Sequence, residues 1–132
     1  MSRFLSTFVC VAMLAGGCGS NPNSPAVSFP ATLTLQAGES RTTGGLFVKF
    51  VEVTNDWRCP LNALCITSGE AYLQFELATD RRFTSQLLQA VDPKHRLASF
   101  DGYSIEVKDL FPYPDTNKPT NKGDYKVTIE IR

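Results

Sequence analysis

The chain has 132 residues, with 13 Lys and Arg balanced by 13 Asp and Glu, a single His and 42% hydrophobic residues. Zero formal charge leaves no basic field for nucleic acid, and the short groups Arg81-Arg82 and Lys94-His95-Arg96 read as solvated turns. The length suits one domain of ordinary size. In chain order, the first segment is not part of the fold. Arg3 gives a short positive start, "FLSTFVCVAML" from Phe4 to Leu14 is apolar, and Ala15, Gly16 and Gly17 are small. That order predicts a secretory signal peptide over residues 1–17. The apolar run falls short of the about 20 residues a membrane span needs.

The leader ends in "LAGGC". This resembles the lipobox of bacterial lipoproteins: an apolar residue, small residues, then a cysteine. The resemblance implies cleavage before Cys18 and a thioether-linked diacylglycerol on it. The mature chain is then anchored to a membrane without crossing it, since each buried methylene adds about 0.8 kcal/mol. In diderm bacteria, Asp after the lipidated Cys retains such proteins at the inner membrane. Gly19 stands there instead, so the resemblance favours the outer membrane and a place in the cell envelope. "GSNPNSPAVSFP" follows, and its Ser, Asn and Pro content predicts a flexible tether over 18–30.

Residues 31–132 carry the domain. No convincing helix appears, and several segments alternate with period two. "ATLTLQ" from Ala31 is a short strand. "LFVKFVEV" from Leu46 is apolar on both faces, which predicts a central or bulged strand. Ala71, Leu73, Phe75 and Leu77 alternate with polar residues, as do Tyr103, Ile105 and Val107, and then Tyr125, Val127, Ile129 and Ile131. "FTSQLLQAV" is a further strand. Gly38-Glu39, Gly44-Gly45, Asp80-Arg81 and Asp92-Pro93 are turns, and Asp101-Gly102 is the strongest two-residue hairpin signal. Seven or eight short strands at this spacing predict an all-β fold, an antiparallel β-sandwich, immunoglobulin-like or like a small barrel.

"DWRCPLNALC", Asp56 to Cys65, is the stretch that looks chosen for chemistry. Redox enzymes of the thioredoxin kind use Cys-x-x-Cys at a helix start, whereas this pair is Cys-x5-Cys after a strand. A structural zinc site wants four ligands, and only His95 is available beyond the two thiols. Both methionines lie in the leader, which leaves copper no thioether. No metal and no cofactor are therefore expected. With Cys10 in the leader and Cys18 taken by lipid, a Cys59–Cys65 disulfide suits an oxidising compartment. Loop entropy gives such a ring roughly 2.4 kcal/mol. It is either a staple with Trp57 packed over it, the simpler reading for a small domain, or a rigid loop offered to a partner.

Asp56-Trp57-Arg58-Cys59-Pro60, Cys65 and Gly69-Glu70-Ala71 together resemble a D-x-R-C-P…C…G-x-A signature of small, uncharacterised secreted or lipid-anchored bacterial domains. Those relatives carry Ser where Trp57 stands and Trp where Thr67 stands. The resemblance supports the fold and brings no activity with it.

His95 sits in a charged turn, and no close carboxylate pair stands out, so an enzyme is not expected. "FPYPDTNKPTNKGD" from Phe111 to Asp124 is a long polar loop that lacks a calcium-loop pattern. Its prolines hold Phe111 and Tyr113 extended, either covering the core or forming a recognition patch. The candidate binding residues are Trp57, Arg58, Leu61, Leu64, Phe111 and Tyr113. The expected function is a non-catalytic envelope module that binds a protein or glycan. The alternative is an inhibitor of secreted proteases that offers "CPLNALC" to an active site, an analogy at the level of fold.

Overall fold

The computed structural model describes residues 27–132. It contains eight strands: β1 (Ala31–Gln36), β2 (Ser40–Thr43), β3 (Leu46–Asp56), β4 (Ala71–Ala78), β5 (Phe83–Gln89), β6 (Leu97–Phe100), β7 (Tyr103–Phe111) and β8 (Lys126–Ile131). They form two four-stranded antiparallel sheets, ordered β1-β8-β7-β6 and β2-β3-β4-β5. The chain passes between the sheets twice, after β1 and after β5. This is the all-β sandwich expected from the sequence, open at its edges rather than closed as a barrel, and its meanders are simpler than the immunoglobulin Greek key. The sole helical turn is a 3₁₀ turn at Lys122–Asp124 among the described residues.

Period-two patterning puts one core between the sheets. Leu73, Phe75 and Leu77 from β4 meet Val127, Ile129 and Ile131 from β8, and all six are essentially inaccessible. The Phe50 and Phe75 rings stack across β3 and β4 with centroids 5.4 Å apart.

β3 resolves the double-faced pattern of its sequence. It lies between β2 and β4, so it is central, and its register slips between Phe50 and Glu52 and again between Val53 and Asn55. A one-residue bulge reverses the side-chain parity. Leu46, Val48 and Phe50 face the core before the first slip, and Val53 faces it afterwards. β7 does the same between Val107 and Asp109, so Ile105, Val107 and Leu110 are all buried. Strict alternation in the sequence misses the bulge in β7.

The turns obey their chemistry. Gly44-Gly45 and Asp101-Gly102 have positive φ at both residues (53° and 86°, 47° and 89°), the type I′ requirement for a two-residue hairpin. The sandwich has two distinct ends. Ala31 pairs with Ile131 beside the β2–β3, β4–β5 and β6–β7 turns. The opposite end carries the long connections 57–70, 90–96 and 112–125.

Candidate functional site

The site is built at the end of β3, where Asp56 and Arg58 join the two sheets. Arg58 Nε and Nη2 donate to the two carboxylate oxygens of Asp56 at 2.9 and 2.8 Å. Arg58 Nη1 donates to the Leu110 carbonyl at 2.6 Å and Nη2 to the Pro112 carbonyl at 2.8 Å. Tyr125 Oη donates to Asp56 Oδ2 at 2.9 Å. Both charges are buried, with side-chain exposures of 5% and 6%. Burial works to raise the Asp56 pKa, but the hydrogen bonds and charge of Arg58 and the Tyr125 hydroxyl outweigh it and hold the carboxyl below its ordinary value. Burial, then the bond to Asp56, pushes Tyr125 up to about 12.

This network corrects the place given to Arg58 among candidate binding residues. The side chain is beneath the surface, and its guanidinium is committed to Asp56 and two carbonyls, with the Tyr113 ring 5.1 Å from Cζ. Arg58 holds the loops from beneath the surface. A planar fork with five donors suits one carboxylate and two carbonyls in a way Lys does not.

Beyond Arg58 the chain closes on itself. Cys59 and Cys65 form the expected disulfide, with Cα atoms 5.9 Å apart. Trp57 N donates to the Glu70 carbonyl and Cys59 N to the Ser68 carbonyl, which brings the outgoing and returning chains together. Gly69 permits this approach: its φ is 68°, and a Cβ there would overlap the Trp57 carbonyl oxygen. The buried Glu70 carboxylate then accepts from the backbone N–H groups of Ala71, Ala90, Val91 and Asp92 at 2.8–2.9 Å, fixing the 90–96 connection beside the loop.

The two loops read separately in the sequence form one surface. Leu61 N donates to the Pro114 carbonyl. Asn62 Nδ2 donates to Asp115 Oδ1 at 2.9 Å and Thr116 Oγ1 at 2.7 Å, and Asn62 Oδ1 accepts from Thr116 N at 3.1 Å. Tyr113 Oη donates to Asp109 Oδ1 at 2.7 Å. Between the loops lies a shallow hollow of about 220 Å³ lined by Leu61, Phe111, Tyr113, Lys118 and Asp124.

Of the candidate binding residues, Leu61, Leu64, Trp57, Phe111 and Tyr113 are exposed, and Leu61, Phe111 and Tyr113 meet at the hollow. Trp57 is 54% exposed. Leu64 is fully exposed, and so is Ile66, which the sequence reading passed over. An apolar residue next to a cystine in a segment without strand periodicity is the signal that would have found Ile66. Cys18 lies outside the described residues.

The remaining chemistry is sparse. His95 Nδ1 is 2.7 Å from Asp92 Oδ2 on an exposed turn. No group of three or more His, Cys, Asp or Glu is placed to hold a metal among the described residues. No protein-family model, curated protein or solved structure matches the chain.

Proposed function

We propose that this chain is a lipid-anchored, non-catalytic binding module of the cell envelope, and that it engages a protein partner through the joined loops 57–69 and 111–118. The observation that carries the reading is the exposure of Leu61, Leu64 and Ile66 (78%, 105% and 105%) on a loop closed by a disulfide and hydrogen-bonded to its neighbour. Apolar side chains that a fold leaves exposed on a rigid support mark interaction sites. A loop already ordered loses little conformational entropy when it binds. The leader and Cys18 supply the anchor in this reading.

The test is crosslinking of the anchored protein in its own envelope, followed by identification of the attached protein. Leu64→Asp and Ile66→Asp should abolish the crosslink, since both side chains are in solvent and the fold does not depend on them. A crosslink that survives both changes would sink the assignment to these loops.

A second reading, inhibition of a secreted protease, draws on the same exposed aliphatic side chains, because a fixed convex loop suits an active-site cleft. It requires stoichiometric inhibition that fails with Leu61→Ala or Leu64→Ala. Inhibition unaffected by either change would dismiss it.

A further inference from the structure

We propose that the joined loops lie on average farther from the membrane that holds the chain than the end where the tether enters, so that their partner is a protein reached on the far side of the domain and not a neighbour lying in the same bilayer. The inference rests on the reading of Cys18 as the anchor.

Strand polarity carries it. The described chain enters through Phe29 and Pro30 into β1, and Ala31 pairs with Ile131. The Phe29 ring packs edge-on against Tyr103 at 5.9 Å, and Tyr103 Oη donates to the Gly44 carbonyl. Gly44 has no Cβ that would strike that ring. The incoming chain is thus held against the β2–β3 and β6–β7 turns. β3 starts at that end with Leu46 and reaches the loop end at Asp56. Its eleven residues, at about 3.3 Å each, place the loops roughly 30 Å from the point of entry.

The loop itself suits a protein more than a lipid surface. Pro60 to Glu70 contains no Lys or Arg, and in the adjoining hollow Asp115 and Asp124 outnumber the one cation, Lys118. An anionic bilayer recruits basic side chains beside apolar ones. Among the described residues, the backbone N–H and C=O groups of Leu64, Cys65, Ile66 and Thr67 make no backbone hydrogen bond. A partner with an apolar recess edged by polar groups would cover Leu64 and Ile66 and complete those main-chain bonds.

Trp57 is the only tryptophan and lies at the loop end, so it reports the orientation unaided. The lipid-modified protein, purified whole from membranes, is reconstituted into phosphatidylethanolamine–phosphatidylglycerol vesicles doped with a dansyl-headgroup lipid. Energy transfer from Trp57 is compared with that from a Trp57→Phe, Phe83→Trp double variant. Phe83 is exposed beside the β4–β5 turn at the end where the chain enters. The expected result is flotation of both proteins with the vesicles, little loss of Trp57 emission and a large loss in the double variant. Flotation with Trp57 transferring as strongly as the double variant, or shifting to the blue, overturns the orientation and leaves the anchor intact. Failure to float overturns the anchor reading, and the orientation falls with it.

Discussion

Arg58 stands two residues after Asp56, and its guanidinium grips both oxygens of that carboxylate while also reaching the carbonyls of Leu110 in β7 of the other sheet and of Pro112 just beyond it. One side chain just past the end of β3 thus ties the two layers together. Removing either charge strands the other in a buried place, which costs about 3–5 kcal/mol. Arg58→Ala and Asp56→Ala should each lower the unfolding free energy by that amount in urea titration. Arg58→Lys should rescue only a minor part, because an ammonium cannot span a carboxylate and two carbonyls at once. An Arg58→Lys protein as stable as the native one would refute the role given to the fork.

The same cluster contributes to the pH dependence of the fold at both ends. The Asp56 carboxyl has a lower pKa folded than its ordinary 3.8. Its ionisation thus favours the folded state above that value, and the contribution disappears as pH falls through the lower, folded value. Tyr125 behaves oppositely. Its folded pKa is raised from 10.0 to about 12, so its contribution is complete below pH 10 and is lost as pH rises towards 12. Stability measured against pH should show both limbs. Tyr125→Phe should shrink the alkaline limb, leaving the part due to Tyr113, whose bond to Asp109 also raises its pKa, and an unchanged alkaline limb in that variant would contradict the assignment.

What the sequence discloses depends on how local the cause is. Alternation along "AYLQFELA" and "YKVTIEI" reveals β4 and β8, because one face of each packs on the core. Asp101-Gly102 and Gly44-Gly45 reveal hairpins, since the backbone demand lies within two residues. The disulfide follows from a count of thiols and the oxidising compartment that the leader predicts. By contrast, the bond between Asn62 and Thr116 joins residues 54 apart, and neither loop's composition announces the other. The burial of Arg58 is equally non-local, because its acceptors at Leu110 and Pro112 are backbone carbonyls that any residue type supplies.

Gly69-Glu70 returns the chain from the loop to β4, and the two residues have separate duties. Gly69→Ala puts a Cβ against the Trp57 carbonyl at positive φ, so it should destabilise by more than about 1 kcal/mol. Glu70→Ala leaves the half-buried N–H groups of Val91 and Asp92 without their acceptor, at a cost of about 1 kcal/mol each, while Ala90 N keeps the Ala71 carbonyl. Hydrogen exchange separates the two. Glu70→Ala should speed exchange at Val91 and Asp92, whereas Gly69→Ala should speed it at Trp57 and Cys59. Matching exchange patterns in the two variants would mean that the loop and the 90–96 connection move as one unit.

The disulfide and Asn62 hold the same loop by different means, and a thermodynamic cycle resolves how far they depend on each other. Closing the Cys59–Cys65 ring contributes roughly 2.4 kcal/mol by restricting the unfolded chain. Asn62 adds hydrogen bonds to Asp115 and Thr116 that exist only while the loop keeps its turn, in which Ala63 N donates to the Pro60 carbonyl. In the oxidised protein Asn62→Ala should cost about 1 kcal/mol. In a Cys59→Ser, Cys65→Ser background the loop samples other shapes, so the same change should cost markedly less, and the effects should not add. Circular dichroism of the double-serine protein checks that it is folded before the cycle is measured. Equal costs in both backgrounds would show that Asn62 fixes the turn alone, and that the disulfide lends the loop stability without lending it shape.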